Sequence, residues 1–267
     1  MIKLIITDMD GTLLDDAKNF PHDYFEIVKE LQPKNILFSV ASGRQYYTLL
    51  EQLYDIKDSV VFISGNGTYV AYRGEVIYEN IMHKSKAMKL VDVGRKIENT
   101  FIILCCKNGA YVESNDIDFL NEAKKYYNRL EIVEDITKVD DEIIQVTFCN
   151  LESTEARVYP HLKHFENDFK VMVSGKIWLD VVNRDVNKGV AIEKIQQDFN
   201  IGFDETLVFG DYLNDIEMMG TAKYSYAMKN AHPEILKVSA FVTEFDNNNF
   251  GVTKTIRELL LPEKVTV

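Results

Sequence analysis

Two carboxylates stand two residues apart in Asp8-Met9-Asp10-Gly11-Thr12, directly after an apolar run, Ile2 to Thr7, that reads as a buried strand. In an extended strand the two acids would share a face. The turn signalled by Asp10-Gly11 frees Asp10 from that geometry, so one acid can attack while the other moves protons. Gly11 permits the sharp turn and Thr12 can hydrogen-bond back to it. Taken alone, the motif also fits an Asp-Gly turn with solvated acids. Ser42-Gly43-Arg44 follows a second apolar run, Ile36 to Val40, and opens a helix, where a hydroxyl and free backbone N–H groups can hold phosphate oxygens. By itself it fits a simple helix cap equally. Lys188 stands at a helix start, and Gly210-Asp211-Tyr212-Leu213-Asn214-Asp215 follows the run Thr206 to Phe209. Hard oxygen ligands of this kind suit magnesium, and a neighbouring lysine offsets the charge of carboxylates and phosphate. Strand-end acids from both ends of the chain, a hydroxyl and a lysine are together the parts that phosphoryl transfer by positioning and electrostatics requires.

These groups need elements to position them, and the hydrophobic pattern supplies candidates. Tyr24, Ile27, Val28 and Leu31 recur at helical spacing, as do Tyr46, Leu49, Leu50 and Leu53, and Val60 to Ile63 reads as a third strand. Strands alternating with helices predict an α/β fold with a doubly wound parallel sheet, whose ligands bind outside the carboxyl ends of the strands. The rhythm then changes. Tyr69 to Tyr72 and Val76 to Tyr78 flank Arg73-Gly74-Glu75 like a hairpin, a poor fit to continued winding. From about Met82 to Val182 the pattern is helix, paired strands, helix, strand, helix and two more strands (Lys170 to Val173, Ile177 to Val182), an α+β sequence typical of a separate domain. After Asn187-Lys188-Gly189 the alternation resumes with a helix through Val190, Ile195 and Phe199. The expected organisation is a Rossmann-like core from residues 1–81 and 185–267 with an α+β insertion over 82–184.

The 267 residues are 46% hydrophobic and 27% charged, as expected for a globular enzyme. The net charge of −12 repels nucleic acid and anionic membrane surfaces, so neither is an expected partner, and an anionic substrate would need local positive charge from a metal ion and fixed donors. Cys105, Cys106 and Cys149 show no zinc or redox spacing and fit a reducing compartment. With no run of membrane-spanning length, a cytoplasmic location is expected. His161 and His164 share a predicted helix but lack a third ligand, which favours a solvated face over a metal site. Adjacent Cys105 and Cys106 in an apolar run favour ordinary packing over redox sensing.

The motifs resemble those of the haloacid dehalogenase superfamily, specifically its Cof-type phosphatases with a large cap inserted after the second motif (subfamily IIB). Asp8 to Leu14 is similar to motif one, Ala41-Ser42-Gly43-Arg44 to motif two, Asn187-Lys188-Gly189 to motif three, and Gly210-Asp211 with Asn214-Asp215 to motif four. Asn66-Gly67, Ser174-Gly175 ahead of Leu179-Asp180-Val181, and Gly251-Val252 are lesser matches, and all stand in the family's order. Ser42 stands where threonine is commoner and Asp180 where glutamate is; neither change removes a functional group. The resemblance implies a magnesium-dependent phosphatase acting on a small phosphorylated metabolite, with a sugar phosphate the expected substrate. Asp8 would be the nucleophile and Asp10 the general acid and base, with a carboxyl pKa lifted toward the working pH by burial. Ser42, Gly43, Lys188 and Asn214 would hold the phosphoryl group. Magnesium would bind the carboxylates of Asp8 and Asp211 and the backbone carbonyl of Asp10, while Thr12 supports the turn and Asp215 orients Lys188 or the metal's waters. In the cap, Gly175, Lys176 and Trp178 are candidates to meet the substrate; for Trp178 core packing is the favoured reading, and Gly175 and Lys176 share the ambiguity. A phosphomutase and a binding protein that has lost chemistry are the alternatives; a dehalogenase has no use for Asp10 or a magnesium site.

Overall fold

The computed structural model describes residues 1–262. The chain opens with strand β1 (Leu4–Asp8), helix α1 (Tyr24–Leu31), β2 (Leu37–Ala41), α2 (Tyr46–Gln52), β3 (Val60–Ser64), β4 (Tyr69–Tyr72) and β5 (Glu75–Glu79). It returns to the same sheet through α7 (Lys188–Phe199), β12 (Thr206–Gly210), α8 (Ile216–Met219), β13 (Tyr224–Ala227), α9 (Pro233–Val238), β14 (Phe241–Val242) and α10 (Gly251–Leu260). Between the two stretches lie α3 (Lys84–Gly94), β6 (Phe101–Cys106), β7 (Ala110–Val112), α4 (Ile117–Ala123), β8 (Leu130–Ile132), β9 (Ile143–Cys149), α5 (Thr154–Arg157), α6 (Tyr159–Leu162), β10 (Phe169–Val173) and β11 (Trp178–Asn183).

The first and last stretches form one eight-stranded sheet in the order β14-β13-β12-β1-β2-β3-β4-β5. Pairing is parallel from β14 to β3. Alternate residues of each central strand feed two cores: Ile5, Val60, Phe62, Leu207 and Phe209 pack with α1, α2 and α10, while Leu4, Ile6, Val61, Ile63 and Val208 pack with α7, α8 and α9. Strands buried on both faces explain the continuous apolar runs of the sequence. From β1 the chain winds one way to β2 and β3, and β12 then enters on the other side of β1. That switch point opens a crevice at the carboxyl ends of β1 and β12. The expected hairpin is present, with Arg73 and Gly74 both at positive φ in a two-residue turn. It interrupts the parallel winding as expected: β4 runs antiparallel to β3 and extends the same edge.

The middle stretch builds a six-stranded sheet, β10-β11-β9-β6-β7-β8. One face packs on α3 and α6; the other packs on α4 and turns toward the crevice. Two strands, β8 and β9, lie between α4 and α5 where the pattern predicts one. The single helix expected around His161 and His164 is broken into α5, α6 and a 3₁₀ turn over Lys163–Asn167. Pro160 is the cause, since it lacks the N–H that a continuous helix would bond and its ring clashes with the preceding turn. Both histidines are exposed. All three cysteines are buried and free, and burial pushes the Cys105 and Cys149 thiols up to about 12. Among the described residues, no helix is long and apolar enough to cross a membrane.

Gly94 ends α3 close against the sheet: a Cβ there would collide with Phe148 and lie 2.8 Å from Ile102 Cδ1. In an open helix, Gly→Ala gains up to about 1 kcal/mol. Here overpacking against β6 and β9 outweighs that gain, and Gly94→Ala is expected to lower stability by about 1–3 kcal/mol in urea denaturation; an unchanged or raised midpoint would contradict the packing.

Candidate active site

Asp8 is the last residue of β1, Asp211 follows β12 directly, and Asp215 lies one turn further on. Each of these three offers a carboxylate oxygen, and the three oxygens lie within 4.8 Å of one another. Thr12 Oγ1, carried by the turn after β1, donates to Asp211 Oδ1 at 2.7 Å and fixes that carboxylate across the crevice. Lys188, at the start of α7, is fully buried, and its Nζ donates to Asp8 Oδ1 at 2.5 Å and Asp215 Oδ1 at 2.6 Å. The other oxygen of Asp215 accepts the backbone N–H groups of Asp211 (3.0 Å) and Tyr212 (3.3 Å). Asp215 therefore holds both the lysine and the loop that presents Asp211.

One ammonium does not balance three carboxylates. Burial, opposed by Lys188 and reinforced by Asp215 and Asp211, holds the Asp8 carboxyl well above its usual range. Burial and the neighbouring Asp215 raise Asp211 to about 7. Burial disfavours the charged Lys188, but Asp215 and Asp8 more than offset this and keep it protonated. Two hard oxygen donors, Asp8 and Asp211, whose ionised forms are disfavoured for want of positive charge are donors that suit a small divalent cation.

Asp10 departs from expectation in one respect. Its carboxylate turns away from the acidic cluster and lies in the fork of Arg44, with Nη2 to Oδ1 at 2.7 Å and Nε to Oδ2 at 3.1 Å, while Lys18 Nζ reaches Oδ1 at 2.8 Å. Burial favours the neutral acid, but the two cations outweigh it, and the carboxyl is lowered rather than raised. Two acids two residues apart thus occupy opposite electrostatic environments. With its side chain committed to Arg44 and Lys18, Asp10 retains its backbone carbonyl as the expected donor to a metal.

The remaining candidates line one cavity of about 590 Å³ between the two sheets. Ser42 and Gly43 form its wall ahead of α2, with Ser42 Oγ accepting the Arg44 N–H at 3.2 Å. Asn214 faces it and donates to Asn66 Oδ1 at 3.2 Å. Gly175, Lys176 and Trp178 line the opposite wall. Trp178 meets both readings made of it, since it borders the cavity and also packs edge-on against Tyr126 at 5.5 Å between ring centroids. Lys18, Asn66, Tyr126 and Asp180 also line the cavity, as does Arg44, and none was given a role from the sequence. Arg44 stood inside a quoted motif and its guanidinium was the available signal; Lys18 lies in an irregular loop with no pattern around it.

Comparison with known proteins agrees with this architecture. The haloacid dehalogenase-like hydrolase family matches residues 5–256, nearly the whole chain. The chain belongs to that family. This hydrolase is 31% identical over 265 residues to the 5-amino-6-(5-phospho-D-ribitylamino)uracil phosphatase YbjI of Escherichia coli, covering 98% of this chain and 97% of YbjI. It is 25% identical over 263 residues to the Bacillus subtilis phosphatase of the same name, YcsE, covering 97% of this chain and 96% of YcsE. SMU.1108c of Streptococcus mutans superposes with a TM-score of 0.88 at 26% identity, over 98% of this chain and 100% of that one. This hydrolase is a phosphatase.

Removing the cation from the centre of this phosphatase leaves buried carboxylates facing one another. Lys188→Met, nearly isosteric, is expected to cost about 3–5 kcal/mol in urea denaturation in magnesium-free buffer. A loss below about 1 kcal/mol, the scale of an exposed pair, would contradict the buried bridge.

Proposed function

We propose that this enzyme is a magnesium-dependent phosphatase that hydrolyses the phosphate monoester of a sugar or sugar-alcohol metabolite through an aspartyl-phosphate on Asp8. The observation that carries the reading is the division of labour between two neighbouring acids: Asp8 is held by Lys188 within a cation-seeking cluster, and Asp10 is held apart from it on the cavity wall. In this reading Asp8 attacks phosphorus as the bond to the leaving oxygen breaks, and Asp10 gives that oxygen a proton. Asp10 then takes a proton from the water that opens the aspartyl-phosphate. Entry of a phosphate dianion beside Asp10 favours its protonated form, countering the pull of Arg44 and Lys18. Ser42, the Gly43 backbone N–H, Lys188 and Asn214 hold the phosphoryl oxygens. Magnesium, held by Asp8, Asp211 and the Asp10 carbonyl, would supply the positive charge that the transferring group requires.

The same reading takes residues 82–184 as a cap that sets specificity over a core of 1–81 and 185–267, of which 263–267 lie outside the described residues. Two relatives are named for a substrate with a phosphorylated ribityl chain on a pyrimidine ring. Trp178 and Tyr126 on the cavity wall suit such a ring, as base–aromatic stacking contributes about 1–3 kcal/mol.

Phosphate release from p-nitrophenyl phosphate and from ribityl, hexose and nucleoside monophosphates tests the reading. Turnover without a bisphosphate activator is expected, with a sugar or sugar-alcohol phosphate giving the highest kcat/KM, and with loss of activity in excess EDTA restored by magnesium. Activator-dependent isomerisation with little free phosphate would indicate a phosphomutase. Undiminished turnover in EDTA would remove the metal, and no turnover of any ester would leave a binding protein.

A further inference from the structure

Three consecutive residues between β3 and β4, Gly65, Asn66 and Gly67, lie in the left-handed region, with φ of +55°, +56° and +102°. Glycine enters this region without strain and Asn is among the few other residues that tolerate it, so the turn forms readily and its surroundings hold it in place. Here the surroundings are the phosphate-handling segments. The Gly65 N–H donates to the Arg44 carbonyl at 3.1 Å and the Asn66 N–H to the Ser42 carbonyl at 3.0 Å, so the turn is laced by backbone to the Ser42–Arg44 turn. At Gly67 a Cβ would strike the Asn187 carbonyl and lie 3.1 Å from the Lys188 nitrogen, so the turn also abuts the start of α7.

The Asn66 side chain, 3% exposed, completes the set. Its Oδ1 accepts from Asn214, and its amide lies so close to Gly43 that a Cβ there would be 3.1 Å from Nδ2. The same Nδ2 donates to Asp180 Oδ2 at 3.3 Å, across the boundary between the two sheets. Asp180 is itself buried, and its other oxygen accepts from Thr147 Oγ1 at 2.7 Å and Gln145 Nε2 at 2.9 Å. No Lys, Arg or His pairs with it among the described residues. A carboxylate on one side and an amide donor on the other dictate the chemistry at position 66: one end must donate and the other accept.

We infer that Asn66 is a positioning residue that couples the inserted sheet, through Asp180, to the phosphate-binding groups Gly43 and Asn214. The inference rests on the phosphate site assigned under the proposed function. Seating of the β11 strand fixes the Asn66 amide, and the amide fixes the turn and the Asn214 side chain that receive phosphate oxygens. Substrate contacts in the inserted sheet then reach the reacting group by a direct chain of hydrogen bonds.

Calorimetric titration of inorganic phosphate in the presence of magnesium tests the coupling in four proteins: wild type, Asn66→Gly, Asp180→Asn and the double variant. Glycine keeps the left-handed backbone without strain and deletes only the amide. Each single change is expected to weaken phosphate about five- to tenfold, the equilibrium worth of about one ordinary hydrogen bond. The double variant is expected to be no worse than about twofold beyond the weaker single variant, because both changes break one path. A second pair reverses the polarity: Asn66→Asp sets two carboxylates face to face and weakens phosphate further, and adding Asp180→Asn restores the donor and recovers affinity. Titration counts only binding-competent molecules, so a general loss of stability does not imitate these patterns. Losses that multiply in the double variant, an Asp180→Asn protein with unchanged affinity, or failure of the polarity swap to rescue would each overturn the coupling alone. Absence of phosphate binding by the wild type would overturn the assigned phosphate site and this coupling with it.

Discussion

An ammonium group with no access to solvent sits between two carboxylates at the centre of this molecule, and the rest of the fold depends on it. Taking such ions out of water costs several kcal/mol each, and their attraction offsets this only when the geometry is held closely. Lys188 meets Asp8 and Asp215 because a strand end, a helix start and a loop converge at one switch point of the sheet. The parallel core between β3 and β14 is the scaffold that makes this convergence rigid, with each central strand covered on both faces. The bridge in turn secures the loop, since Asp215 binds the backbone of Asp211 with the oxygen that Lys188 leaves free.

The same constraint separates the two acids of the first motif. Asp8 shares a buried cluster with more carboxylates than cations, whereas Asp10, two residues later, is gripped by Arg44 and Lys18. Environments that push neighbouring acids in opposite directions are how one short motif supplies two roles. The separation is made by the turn at Gly11 and by cations from α2's leading turn and the loop after β1, not by the spacing itself. The inserted sheet closes the other side of the cavity, and its polar residues Thr147 and Asp180 reach the core through Asn66.

Much of this was legible in the chain because it is encoded locally. Apolar runs ending in acids gave β1 and β12, and helical spacing gave α1 and α2, each within a few residues of its observed bounds. The charged cluster was legible because acids and a lysine placed at strand ends have few structural reasons to be there. What escaped the reading depends on tertiary contact. The grip of Arg44 and Lys18 on Asp10 inverts the pKa shift expected from burial alone, and nothing in the local sequence marks Lys18. The hairpin β4–β5 is an exception, since its break in winding was legible and is present as antiparallel strands on the β3 edge of the core sheet. Pro160 was the available signal that the helix around His161 and His164 would be broken. Asn66 and Asp180 lie 114 residues apart and meet only in the folded chain.

The central proposal is that Asp8, held by Lys188, is the nucleophile that takes the phosphoryl group during the reaction. Rapid acid quench of the magnesium-loaded enzyme during turnover, followed by peptide mass analysis, tests it most directly. The added mass of a single phosphoryl group is expected on the peptide bearing Asp8, labile to hydroxylamine as an acyl phosphate is, and absent from Asp8→Asn. Steady turnover by Asp8→Asn, or a phosphoryl group found on another residue, would contradict it.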